Sequence, residues 1–505
     1  MSTRWRLAGY GATVFLASAL LLVLEIVAGR LIAPYVGASL YTWTSVIGVI
    51  LAGLSLGNWL GGRWADRGAG DGAAGLALAL GGLASLAILL ILTVIAPAIL
   101  SRPIGLLTAS FVLVAALFFL PSVLLGVITP LLTTRALAFD RRSGHVVGRM
   151  QALAALGSIL GTFVTGYWLV QHFGTRALIL GVAGTQLVLA LPFFYTARAR
   201  LVPAALAAAA AALLVVTHAR EGLANPCDRE SRYFCIRVAA EPTPYGPAQV
   251  LVLDHLVHSM NHVTRPGLLI PPYMHAMDEL VRAHFGDRPA GLRFFFAGGG
   301  AYTQPRAVRA LYERPEIVVA ELDPAVTEAA VDRLSVSLRG MEVVHRDARL
   351  ALRESAPARF DVIVGDVFHD VAVPFHLLTR EFAALVRSRL APGGIYVLNV
   401  VDGYPGADLA RSVAKTLHAE FRHVDLWLGD VPEGPTRLTY VISATDAKRL
   451  PARIVARHGP PRVWHRATER LAVEPGAAAR VPVLTDDYAP VERLVSELLL
   501  TEQGR

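Results

Sequence analysis

The stretch that decides the fold is "RFFFAGGGAYTQPRAV", Arg293 to Val308. A short apolar run ends at Gly298, Gly299 and Gly300, and a helical pattern follows. At such a strand-to-helix junction glycine adds no Cβ, so a ligand can approach the backbone. The loop lacks the G-x-G-x-x-G order of dinucleotide sites, so it suits a single nucleoside better.

Downstream the alternation repeats. Strands are expected at "EIVVAEL" (316–322), "MEVVH" (341–345), "FDVIVGDV" (360–367), "GGIYVLNVV" (393–401), "HVDLWLG" (423–429) and "RLTYVISA" (437–444), with helical patterns between the earlier ones. Strand and helix in alternation imply an α/β, Rossmann-like, doubly wound parallel sheet over 291–505, with ligands at the carboxyl ends of its strands. Acids fall at those ends. Glu321 ends the second strand about 20 residues after the glycines, the spacing at which a carboxylate accepts from both ribose hydroxyls. Asp347, in "HRDAR" and followed by Ala348, is placed to accept from an adenine amino group, and Asp366 ends the fourth strand in "VIVGDVFHD". Any one of them reads equally well as a helix cap or a solvated loop residue. Together, at successive strand ends, they read as a nucleoside site.

Upstream, residues 218–290 form a linker and a small β-rich extension containing "YFCIRVAA" (233–240) and "AQVLVLDHLVHSMNH" (248–262). Residues 1–217 differ in composition and account for much of a chain of 505 residues that is 54% hydrophobic and only 17% charged. Seven transmembrane helices are expected, at about 8–29, 41–62, 74–98, 104–132, 147–170, 175–195 and 201–217, since a span needs about 20 apolar residues. Pro121 and Pro130 should interrupt the fourth. Glu25 lies inside the first, where a carboxylate marks either a functional site or a polar contact between helices. Arginines collect on one side of the spans, which puts the amino terminus in the cytoplasm and, after seven spans, the soluble part outside a bacterial-type inner membrane. The only cysteines, Cys227 and Cys235, are expected to close a small loop in that oxidising setting, or to remain free thiols if the domain is cytosolic. The net charge of +8 comes with only two lysines and no basic run, so no nucleic-acid partner is expected. No second cysteine pair or histidine cluster stands at metal-ligand spacing, so no metal is expected either.

The motifs "VLVLDHLVHS" (250–259), "YMHAMDEL" (273–280), "FFFAGGGAYTQPRAV" (294–308), "VVAELDPAV" (318–326), "VVHRDAR" (343–349), "FDVIVGDVFHD" (360–370) and "LTDDYAPVE" (484–492) resemble the spermidine synthase family of polyamine aminopropyltransferases. "LVLEIVAGRLIAPYVGAS" (22–39) and "FFLPSVLLGVITPLL" (118–132) are similar to its membrane-fused members. The resemblance implies a methyltransferase-type fold and decarboxylated S-adenosylmethionine, or S-adenosylmethionine itself, as the sulfonium substrate. A polyamine amine would attack the carbon beside the sulfonium and release methylthioadenosine, with Asp366 as the catalytic base. It also implies that Gly298, Gly299, Gly300, Glu321, Asp347 and Ala348 hold the nucleoside. His258, Tyr273, His275, His369 and Asp370 would face the amine. Expected partners are the small amine or sulfonium substrate, the bilayer and a second copy of the chain.

The chain departs from the family on the amine side. An aspartate that holds the cationic tails is Ala301, the acid three residues beyond the catalytic aspartate is His369, a glutamine is His258, and Tyr-His-Glu has become Tyr273, Met274, His275. Each lost carboxylate removes attraction for a polycation. Two further functions therefore stand beside aminopropyl transfer: cleavage of the sulfonium by a lyase or cyclase with no polyamine acceptor, and nucleoside sensing by a transporter or receptor.

Overall fold

The computed structural model describes residues 3–102, 104–140, 142–196, 201–286, 290–367, 374–429, 432, 434–468, 471 and 481–496. His369 and Asp370 lie outside the described residues. Two compact units divide the chain, Met1–Pro226 and Cys227–Arg505.

Among the described residues of the first unit, seven helices are long and apolar enough to cross a membrane: Thr3–Val36, Leu40–Asp66, Asp71–Leu100, Leu106–Leu137, Ser143–His172, Thr175–Tyr195 and Val202–Ala219. The fourth breaks into Leu106–Gly126 and Ile128–Leu137. Pro130 has no N–H to give the Gly126 carbonyl, so the ladder fails there. The fifth contains a π-turn at Thr165–Leu169, which the sequence did not announce. Large apolar side chains such as Leu51, Trp59, Phe111, Leu120 and Phe163 face outward. Polar ones are paired within: Gln186 donates to Ser85 at 3.0 Å, and Asp71 accepts from Tyr10 at 2.7 Å and from Arg135 at 3.3 Å. Apolar outside and paired polar groups inside is the order that a hydrocarbon solvent demands. Packing is close enough to require small residues. A Cβ on Gly57 would stand 2.2 Å from the Val123 carbonyl oxygen of the neighbouring helix.

The second unit opens with an antiparallel four-stranded sheet, β1 (Arg229–Glu230), β2 (Cys235–Thr243), β3 (Gly246–Leu253) and β4 (Leu256–His262), in that order. Cys227 and Cys235 form a disulfide at the start of β2, with Cα atoms 5.2 Å apart. The helix Pro272–Phe285 follows. Then come β5 (Arg293–Ala297), β6 (Glu316–Ala320), β7 (Met341–Val344), β8 (Phe360–Gly365), β9 (Leu390–Tyr404), β10 (His423–Leu428), β11 (Thr436–Thr445), β12 (Arg453–Val455) and β13 (Val463–Arg466). They make one nine-stranded sheet in the order β12-β13-β10-β11-β9-β8-β5-β6-β7.

The sheet is α/β as expected, but only β7, β6, β5, β8 and β9 are parallel. From β11 outward every pairing is antiparallel. The short β10–β11 connection explains part of this, because a parallel crossover needs a dozen residues or more. In the parallel part the strands are buried on both faces, which is why they read as unbroken apolar runs. Phe294 and Phe296 stack on one face with Ile317, Val319, Val362 and Val364, while Phe295 meets Phe360 on the other.

Candidate functional site

The strand ends are laced together before any side chain acts. Asp366 N–H donates to Ala297 O at 3.0 Å, Gly298 N–H to Ala320 O at 3.0 Å, and Glu321 N–H to Val344 O at 3.1 Å. Gly298 has a positive φ of 91°, and a Cβ there would lie 2.3 Å from the Asp366 carbonyl oxygen. The glycine loop therefore rests directly on the backbone of Asp366, and only glycine fits.

Around this junction a cavity of about 120 Å³ is lined by Gly298, Gly300, Glu321, Asp347, Ala348, Asp366 and His258, joined by Phe234, Arg346 and His376. Most of the residues singled out in the sequence thus meet at one place. Glu321 is buried, and its Oε2 accepts from the amides of Gly299 at 2.8 Å and Gly300 at 3.1 Å, while Oε1 accepts from Asp323 N–H at 2.9 Å. Burial pushes its carboxyl up, and the three amides work against that shift. Glu321 is therefore the strut of the glycine loop whatever else it holds. Asp347 caps the helix Ala348–Glu354, accepting from Leu350 N–H at 3.0 Å, and its other oxygen meets His376 Nε2 at 2.8 Å. His376 and the capping amide hold the Asp347 carboxyl below its ordinary range.

Asp366 behaves differently. Burial pushes it up to about 7, against hydrogen bonds from the side chains of Asn399 and Tyr273. Asn399 stands in the middle of β9, buried, with its Oδ1 unpartnered. It was not singled out, although a lone amide in "YVLNVV" beside the strand of Asp366 was a usable signal. His376, in "PFHLL", offered none.

Tyr273, at the start of its helix, also lines a larger cleft of about 710 Å³ with Trp427, Arg437, Arg462, Trp464 and His465. His275 is not with Tyr273 at Asp366. It is fully buried beside Glu279 and His458, because helical spacing turns it inward. Ala301 is also fully buried, in the core with Phe296 and Tyr302, and Asn261 on β4 holds its carbonyl at 2.8 Å. Its side chain faces the core.

No family profile matches the chain. A probable polyamine aminopropyl transferase of Bifidobacterium longum is 26% identical over 231 residues, 41% of this chain and 50% of that protein. Polyamine aminopropyltransferase 2 of Pseudomonas aeruginosa is 29% identical over 203 residues, 37% of this chain and 54% of that protein. The chain thus spans about half the length of these relatives. The crystal structure of a probable spermidine synthase from Corynebacterium glutamicum is 21% identical and matches with a TM-score of 0.43, covering 51% of this chain and 95% of that one. The sequence relatives of the chain are thus polyamine aminopropyltransferases, to which it is similar over about half of their length.

Proposed function

We propose that the protein is a membrane-anchored transferase of aminopropyl type, which binds decarboxylated S-adenosylmethionine or a close sulfonium relative and releases methylthioadenosine. The observation that carries this reading is the convergence of the glycine loop, Glu321, Asp347 and Asp366 at the ends of four neighbouring parallel strands. In the reaction an amine nitrogen gives its lone pair to the carbon beside the sulfonium, the carbon–sulfur bond breaks, and its electrons return to sulfur as a neutral thioether. Asp366 takes the proton. With a pKa of about 7 it is ionised enough near neutrality and basic enough to help. Glu321 keeps acceptor capacity for ribose beyond its three amides, and Asp347 meets the adenine edge in place of His376. The test is incubation of the purified full-length protein with each sulfonium, with and without polyamines, following methylthioadenosine. No release and no nucleoside binding under any condition overturns the reading.

Two observations favour a second reading, cleavage without a polyamine acceptor. Ala301 is turned into the core, and among the described residues lining the cleft beside Tyr273 there are arginines and a histidine but no carboxylate. Such a wall repels polycations. Release of methylthioadenosine that ignores added polyamines selects this reading over transfer.

The arginine asymmetry and the seven spans support a cytoplasmic amino terminus with the soluble unit on the outer side, and a disulfide is at home there. A membrane-impermeant thiol reagent on spheroplasts should label Cys227 and Cys235 only after reduction. Labelling that needs lysis but no reduction reverses the assignment.

A further inference from the structure

His275 and Glu279 stand four residues apart on one face of the helix Pro272–Phe285, and both are fully buried. Against them comes His458, from the loop between β12 and β13 that turns at Gly459 with φ +68°. One ligand atom from each of the three lies within 4.8 Å of the others. His458 Nδ1 is 2.8 Å and His275 Nε2 is 3.5 Å from Glu279 Oε1. These distances suggest hydrogen bonds, but His275 Nε2 and both ring nitrogens of His458 make none of acceptable geometry, and Glu279 Oε2 has no partner. Glu279 Oε1 is instead fixed by the backbone amides of Arg457 at 2.8 Å and His458 at 3.3 Å. A buried carboxylate oxygen and buried imidazole nitrogens left unpaired together are costly unless something satisfies them.

We propose that His275, Glu279 and His458 form a divalent-metal site with three protein ligands and a fourth position for water, with zinc as its preferred ion. Two imidazoles and one carboxylate are a recurrent three-ligand set for zinc, whose donors stand about 3.3 Å apart around a tetrahedral ion. Soft ions that want thiolates and hard ions that want more oxygens are unsuited, while ferrous iron takes the same donor set and elemental analysis separates it from zinc. The surrounding groups are arranged as an outer shell. Asp278 Oδ2 is 3.2 Å from His458 Nε2 and is held by Arg282 at 2.8 Å, while its other oxygen accepts from Tyr312 at 2.8 Å. With an ion on Nδ1 the ring proton sits on Nε2 and faces this carboxylate, which is in ion-pair range but makes no hydrogen bond of acceptable geometry in the present arrangement. His275 presents Nε2; metal binding there puts the ring proton on Nδ1, so the Arg462 guanidinium 3.4 Å away must give up that contact and keep its bond to the Ile270 carbonyl at 2.8 Å. The ion pins the 456–462 loop to the helix Pro272–Phe285, which carries Tyr273 in its first turn. The proposal does not depend on what the cavity at Asp366 binds.

Full-length protein, purified in detergent without chelator and freed of any affinity tag, should carry about one zinc per chain by elemental analysis. Dipicolinate should strip the metal and lower the melting temperature, and added zinc should restore it. Cobalt reloading should give the visible bands of a four-coordinate ion. Glu279→Gln and His458→Ala should each lose the metal, and Asp278→Asn should weaken zinc binding about 10-fold to 100-fold. Wild-type protein that holds no metal and takes up none from a zinc titration overturns the site, as does a Glu279→Gln variant with wild-type metal content. Should a variant fail to fold, the stripping and reloading of the wild type still decides.

Discussion

Glu321 has both carboxylate oxygens on backbone amides, of the neighbouring glycine loop and of Asp323, whereas Asp366, two strands away in the same sheet, is met by two side chains from distant elements, Asn399 and Tyr273. The proposed nucleoside wall thus rests largely on main-chain donors, and the proposed amine wall on side-chain contacts. Backbone amides tolerate sequence change around them; side-chain contacts vanish with one substitution. The departures from the resemblance fall mostly on the second side, where the positions at Ala301, His258, His275 and His369 have changed, while the glycines, Glu321, Asp347 and also Asp366 stand. The difference between the walls also separates the proposed reaction from the proposed binding, so the two can be broken independently.

The largest effect is expected at Asp366. Asp366→Asn should lower methylthioadenosine release about 10²-fold to 10⁴-fold, the usual worth of a general base, and leave nucleoside affinity unchanged. The substitution should also favour folding at high pH. Burial raises the folded pKa above its unfolded value, so the native state disfavours the ionised form and loses stability as pH rises from the ordinary carboxylate range through about 7. Thermal melts of both proteins at pH 5 and pH 8.5 check this, with the variant gaining on the wild type only at the higher pH.

Next in size is Glu321→Ala. It strips acceptors from the amides of Gly299, Gly300 and Asp323, and each buried donor left unmade costs about 1–3 kcal/mol. Methylthioadenosine should stabilise wild-type protein in proportion to ligand excess and leave this variant unmoved. A variant that binds normally would show the glycine loop to be independent of its strut.

Tyr273→Phe should act through pH. The tyrosine hydrogen bond lowers the Asp366 pKa, so its loss should move the midpoint of the rate profile upward from about 7. Turnover should fall near neutrality and recover in alkali. A loss that is equal at every pH assigns Tyr273 to substrate contact instead.

The smallest effect concerns His376, whose pair with Asp347 is partly exposed and worth at most about 1 kcal/mol. His376→Ala should tighten nucleoside binding up to about fivefold by freeing the Asp347 oxygen, a change that calorimetric titration can resolve. Weaker binding would make His376 part of the nucleoside pocket.

The sequence by itself determined what local periodicity encodes. Apolar runs long enough for a bilayer marked the seven helices, Pro130 marked the break in the fourth while Pro121 stayed within its helix, and strand-to-helix turns placed Gly298, Glu321, Asp347 and Asp366 at neighbouring strand ends. Those features depend on residues a few positions apart, so a linear reading reaches them. Only the tertiary structure decided that Ala301 faces the core, that Asn399 and Tyr273 converge on Asp366, and that His458 closes on His275 and Glu279. Two members of that last group were visible as a histidine and a glutamate at helical spacing. Its third member comes from a loop far along the chain, and such pairings are settled by how the sheet and helices pack, which no short-range pattern records.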